Sequence, residues 1–305
     1  MRIVTWCVLF TAAACGLAAH SSLAAAAEPL RWKFAVGDTL AVDVSQNVRL
    51  HMDKGPKSPL GTTMQQTLDV TWQVRSVNAD AEAVITGSID RVQMSMQDVE
   101  QEELQYDSAA DEPAIGIATI GAPLYAAMTA GKYEITVTAR GEVRDVKMSD
   151  DVLAMLKSDS DDDAAKSAAT VEALKATLTL GLFALPEGPP TVGQEWSTRA
   201  PAIIPECDHA EIVTTYRYEG MRDVEGTMCA VIRPTLELSL AGNSDQRLSI
   251  TSQKSSGEVL FDPAAGRLRS MSVDQDVALN IRTGEETLPG TIDRKIEVQV
   301  APTKD

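Results

Sequence analysis

Leu40-Ala41-Val42-Asp43-Val44-Ser45-Gln46-Asn47-Val48-Arg49-Leu50-His51-Met52 is the stretch that decides the fold class. Apolar residues recur at every second position, Leu40, Val42 and Val44, then Val48, Leu50 and Met52, with polar or charged residues between them. Side chains alternate across a strand, so this period marks one face on a core and the other in water. Clean alternation suits an antiparallel sheet and argues against a parallel sheet buried on both faces.

The pattern extends outward from there. After a Gly/Pro/Lys loop at Lys54 to Gly61 it returns at Leu68, Val70, Trp72 and Val74, breaks at Asn78-Ala79-Asp80, and resumes from Val84 to Met96. This predicts an antiparallel meander. Asp98 to Glu112 is acidic and reads as loop, and a short helix is expected from Pro123 through Leu124 to Met128. Tyr133 to Val137 and Val143 to Val146 predict a hairpin about Ala139-Arg140-Gly141.

The period changes at Ser149, an N-cap followed by Asp150 and Asp151, with Val152, Leu153 and Leu156 at helical spacing. A second helix is expected from Ala164 to about Leu180, with Val171, Leu174 and Leu178 on one stripe, before Leu185-Pro186-Glu187-Gly188-Pro189-Pro190 stops it. Strands return at Ile212 to Tyr218, Cys229 to Leu240, Leu248 to Ser252, Val259 to Phe261, Leu268 to Ile281 and Ile292 to Val300. Val36-Gly37-Asp38-Thr39-Leu40 matches Val192-Gly193-Gln194-Glu195-Trp196, and Gly141-Glu142-Val143 matches Gly257-Glu258-Val259. The expectation is a mainly β (α+β) protein with two related curved antiparallel sheets: an N-terminal β lobe over 28–148, a helical segment over 149–185 and a C-terminal β lobe over 186–305.

Residues 1–27 read as a signal peptide: Arg2, an apolar run from Ile3 to Ala19, then small residues at Ala24 to Ala27 before Glu28. Export to the periplasm or beyond the cell is expected, with a lipoprotein at Cys15 as the alternative, although Ala12 stands where such signals usually carry leucine. Cleavage leaves 305 − 27 = 278 residues and takes one positive charge, so a net charge of −17 becomes −18. That acidity, with no basic cluster, excludes nucleic acid as a partner. No second apolar run is long enough for a transmembrane helix.

The order of export signal, Val36-Gly37-Asp38 entry strand, Gly141-Glu142-Val143 hairpin, helix, Leu185-Pro186 and Val192-Gly193-Gln194-Glu195-Trp196 resembles a family of exported bacterial β-rich proteins of unknown function. The resemblance implies a secreted β-rich protein and brings no catalytic residue with it.

Two cysteines outlast cleavage, Cys207 and Cys229, and an oxidising compartment makes them a candidate disulfide. A simple hairpin turning near Val224 and Glu225 puts Cys229 opposite Gly220, so pairing requires the segment around Pro205 to fold back. Cys207-Asp208-His209 with Cys229 gathers zinc-ligating types without the paired spacing of structural zinc sites, and no metal is assigned. Asp159-Ser160-Asp161-Asp162-Asp163 begins like a calcium loop but has Ala164 and Thr170 where glycine and glutamate are needed. No GxSxG, HExxH, phosphate loop or GxGxxG occurs; His51 and His209 are the histidines left for a triad, and nothing selects either.

No catalytic or cofactor-binding residue is therefore assigned. The reading is a non-catalytic binding or structural module, the alternatives being a carrier of a lipid or other hydrophobic ligand, for which Ala114 to Met128 would be a lid, and an unrecognised hydrolase. A module would show a compact core and no deep cavity; a carrier needs a large apolar cavity lined by strands; a hydrolase needs a polar cleft joining His51 or His209 to an acid and a nucleophile.

Overall fold

The computed structural model describes residues 28–53, 60–98, 103–110, 125–156 except 127, 171–204 except 173, 207–240, 248–283 and 286–302. Residues 1–27, read above as a signal peptide, the acidic run 159–163 and most of the Ala114 to Met128 segment lie outside these residues.

The strands are β1 (Thr39–Met52), β2 (Leu60–Val77), β3 (Ala83–Asp98), β4 (Glu103–Asp107), β5 (Lys132–Val137), β6 (Val143–Met148), β7 (Glu195–Ile204), β8 (Cys207–Val224), β9 (Thr227–Leu240), β10 (Leu248–Asp262), β11 (Arg267–Thr283) and β12 (Glu286–Pro302). All twelve belong to one antiparallel sheet, in the order β6-β5-β3-β2-β1-β12-β11-β10-β9-β8-β7, with β4 added beside β3. The expected pair of sheets is thus corrected to a single one. The joint is β1 against β12, in register from Leu40 opposite Pro302 to Met52 opposite Gly290. Two separate sheets would each leave a long row of unpaired backbone groups at this seam, and pairing the seam satisfies both rows.

One of the two proposed internal matches holds at the level of hydrogen bonds. Gly37 N donates to Val74 O and Val74 N to Asp38 O; likewise Gly193 N donates to Tyr218 O and Tyr218 N to Gln194 O. The other fails, because Gly141 sits in the β5–β6 turn with φ +81°, whereas Gly257 lies within β10. Gly266, in the β10–β11 turn with φ +63°, is the counterpart in position.

A plug fills one end of the face that the sheet turns inward. It consists of the extended segment 30–34 and the segment 181–186. Trp32 stacks on Phe34 at 5.9 Å and meets Phe183 and Phe261 edge-on at 5.7 and 5.3 Å. Backbone bonds moor the plug to distant strands: Trp32 N to Ala139 O, Lys33 N to Gly266 O and Leu185 N to Arg140 O. Trp196 Nε1 of β7 donates to Ala184 O at 2.7 Å. Strands near both ends of the sheet therefore converge on the same few residues, so the sheet is rolled about the plug.

Helix α1 (Asp150–Leu156) starts as expected, with Ser149 accepting from Leu153 N through its carbonyl and Val152 N lying 3.5 Å from its hydroxyl. Val152, Leu174 and Leu178 are buried in the main core. Their stripe faces the sheet for the reason given by its spacing.

The acidic loop expected over Asp98 to Glu112 contains β4 instead. Charge does not prevent it, because Arg91 of β3 takes Asp107 in a two-pronged ion pair, Nε to Oδ1 at 3.0 Å and Nη2 to Oδ2 at 2.6 Å. That pair and the Ala109 N–H hold the Asp107 carboxyl well below the usual carboxylate range. A carboxyl lowered in the folded state adds stability above its unfolded value, near pH ~4, and loses it as pH falls toward the folded value. Asp107→Asn is accordingly expected to flatten the acid limb of a melting temperature versus pH curve below about pH 4, with a loss of under about 1 kcal/mol at neutral pH because the pair is solvent-exposed. An unchanged acid limb would remove Asp107 from the account.

Candidate ligand-binding face

The strands are long for a globular protein: β2 and β8 have 18 residues each, β11 and β12 17 each, against roughly 5–6 as the common length. The plug covers only one end of them. On the same face, two residues past the last core position, four adjacent strands turn polar: Leu68 gives way to Gln66 on β2, Val44 to Gln46 on β1, Ile296 to Arg294 on β12 and Val273 to Gln275 on β11. On β10 the position across from Gln275 is Ser255. Alternation puts all five side chains on the core face, and the register sets Gln66 across from Gln46 and Gln275 across from Arg294.

This belt is poorly satisfied. Arg294 Nη2 donates to Gln46 Oε1 at 3.2 Å, and among the described residues no carboxylate pairs with it. Desolvation lowers the pKa of its guanidinium. Gln46 and Gln275 are buried, and Ser255 Oγ is buried without a hydrogen-bond partner. A half-buried charge matched only by a neutral amide carries a desolvation cost that one hydrogen bond repays in part.

Beyond the belt the face turns apolar again. Val48, Leu50 and Met52 on β1 line up with Met64 on β2 and Ile292 on β12, and Val277 and Leu279 continue the layer on β11. Val277 and Leu279 are buried, while Val48, Leu50, Met64 and Ile292 are half-buried. Met94, Met96, Tyr106 and Tyr125 form a small cluster at the β3 side.

The β10 side of this layer is open. Among the described residues, β9 and β10 pair only where Val259 to Phe261 meet Ile232 to Ala230. Farther along, the Gln253 side chain replaces the strand pairing, accepting from Leu238 N at 2.8 Å and donating to Leu238 O at 3.2 Å. Past that clasp the strands part around a cleft of about 670 Å³, lined by Leu238, Leu240, Leu248 and Ile250 together with Glu237, Asn280 and Arg282. The cleft adjoins the apolar layer, since Ile250 pairs with Leu279.

Of the residues singled out from the sequence, His51 and Cys229 lie elsewhere. His51 is exposed on the face of β1 opposite Leu50 and Met52. The side chains of Cys207 and His209 fall outside the described residues. The β8–β9 turn falls one residue later than expected, on Glu225 and Gly226, both with positive φ, so Cys229 faces Arg222 and not Gly220. Cys207 opens the same strand as Arg222, about 50 Å away along it at ~3.3 Å per residue, whereas a disulfide needs Cα atoms within about 7 Å. The two cysteines are not brought together. Cys229 is free and buried, and desolvation pushes its thiol pKa up. Among the described residues no three His, Cys, Asp or Glu side chains gather as a metal site, and no helix is long and apolar enough to cross a membrane.

No curated protein sequence matches the chain. Among solved structures, lipovitellin, studied for its lipid–protein interactions, aligns over 90% of this chain at 10% identity with a TM-score of 0.47; the chain spans 26% of its length. DynF from the dynemicin biosynthesis pathway of Micromonospora chersina aligns over 92% of this chain and 88% of its own at 6% identity, TM-score 0.22. An outer membrane channel from Pseudomonas putida F1 aligns over 88% and 97% at 10% identity, TM-score 0.27. Residues 80–225, from the β2–β3 turn to the turn after β8, match the model of a family of unknown function, DUF6263.

Proposed function

We propose that this is a non-catalytic binding module, acting outside the cytoplasm, that holds a hydrophobic molecule against the unplugged half of its inward-facing sheet. One observation carries the reading: past the polar belt, apolar side chains from adjacent strands form a continuous layer whose members on β1, β2 and β12 stay half-buried. Such a layer is costly in water and gains from a partner that covers it, by about 25 cal/mol per Å² of apolar surface. The open cleft between β9 and β10 supplies a side entrance to it.

The test is titration of the purified protein with N-phenyl-1-naphthylamine, an uncharged dye whose emission rises in apolar surroundings. Saturable binding is expected, weakened about tenfold by Leu50→Gln or Ile292→Gln, since each removes roughly 1.4 kcal/mol of apolar contact. Val36→Gln, at an exposed position beside the plug, should leave it unchanged. A response that never saturates, or that ignores the two inner-face substitutions while both variants stay folded, would overturn the proposal.

A further inference from the structure

We infer that the ligand of this face is a single-chain amphiphile with one negative charge, a long-chain carboxylate, whose head group sits on Arg294 and Gln46 and whose tail lies along the apolar layer. The inference rests on the binding reading above and adds the head group to it. Arg294 stands at the border between the belt and the layer: Ile296, on its plug side, is buried in the core, and Ile292, on its other side, is half-buried beyond it. An anion there meets a guanidinium, which binds a planar carboxylate through two parallel N–H donors. Gln275, across from Arg294, adds a neutral donor beside it.

The charge of the head group follows from counting cations. Within the belt, Gln46, Gln66, Gln275 and Ser255 are neutral and Arg294 is the one cation. A single negative charge is matched by it; a dianionic phosphate would bring a second charge into a protein that carries −17 already. The tail direction follows from the strands, because Ile292 is the next residue after Arg294 on the same face of β12, and Leu50 and Val277 flank it on the neighbouring strands.

Displacement of bound N-phenyl-1-naphthylamine tests this on the same protein. Dodecanoate, below its micellar concentration, is expected to displace the dye at a concentration at least tenfold lower than dodecanol. Arg294→Gln should erase that advantage and leave dodecanol unchanged, while Arg294→Lys should keep part of it. Equal potency of acid and alcohol on the parent protein would overturn the head-group inference and leave the hydrophobic site standing. Greater potency of dodecyl phosphate than of dodecanoate would overturn the assignment of a single charge. A dye that never binds saturably would overturn the site itself and this inference with it.

Discussion

Gly141→Ala is expected to cost about 4 kcal/mol of unfolding free energy, read from urea denaturation, a large part of the ~5–15 kcal/mol that domains possess. Two effects combine. The residue has φ +81°, where a non-glycine residue pays roughly 1–2 kcal/mol. A Cβ there would also lie 2.1 Å from the Phe183 carbonyl oxygen and 2.3 Å from Trp32 Nε1. Neither can retreat easily, since Trp32 Nε1 donates to that same carbonyl and both segments are moored to the β5–β6 turn. Gly193→Ala separates the two effects. It has φ +85° with open space around the new Cβ, so it should cost only about 1 kcal/mol. Equal costs at the two positions would mean that the plug yields, and that it does not organise the rolled sheet.

The second large effect is expected at Gly87, where alanine should cost about 3 kcal/mol through a side chain and not through backbone. Gly87 lies in β3 across from Tyr133 of β5, whose ring covers it; an added Cβ would stand 2.1 Å from Tyr133 Cζ. Its φ is unremarkable, so sterics alone decide the outcome. Tyr133 is buried, and its burial pushes the phenol pKa up. Neither Tyr133 Oη nor Trp72 Nε1 has a hydrogen-bond partner meeting normal geometry. To admit the alanine, the ring must leave its place. Tyr133→Leu alone is expected to cost about 2 kcal/mol, and the double variant much less than the sum, a coupling near 2 kcal/mol. Strict additivity would show that ring and glycine do not depend on each other. No such rescue by a side-chain change is expected at Gly141, because the nearest atom it meets, the Phe183 carbonyl oxygen, belongs to the main chain.

The contrast between the two glycines bears on what can be read from residues in a row. Gly141 was legible as a turn, since it ends Ala139-Arg140-Gly141 between two strand patterns. That Trp32 and Phe183, remote in the chain, close over it was not legible, because no local spacing links them. Gly87 was not legible at all. In the sequence it is a small residue inside an alternating run, and its meaning comes from a ring on another strand.

The candidate site left a fainter trace. Val44-Ser45-Gln46-Asn47-Val48, Val273-Asp274-Gln275-Asp276-Val277 and Ile292-Asp293-Arg294-Lys295-Ile296 each put one polar residue where the apolar phase of a strand should continue. Taken singly, each looks like a strand end or a bulge. Only the register, which lays Gln275 beside Arg294 and brings Arg294 within reach of Gln46, turns three interruptions into one belt. His51 and Cys229 are not part of it.

By itself the sequence determined the kind of structure: period-two alternation with turn residues between runs requires antiparallel strands with one buried face, and a helical stripe closed by Leu185-Pro186 requires helices laid on that face. Both are local consequences of where side chains point along a backbone. The tertiary structure alone decided that there is one sheet and not two, that strands near both ends of it meet on Trp32 and Phe183, and that Arg294 stands between a filled core and an open apolar layer. These depend on which strands pair across long stretches of chain, and strand pairing is set by the sum of many edge hydrogen bonds and contacts that no segment carries within itself.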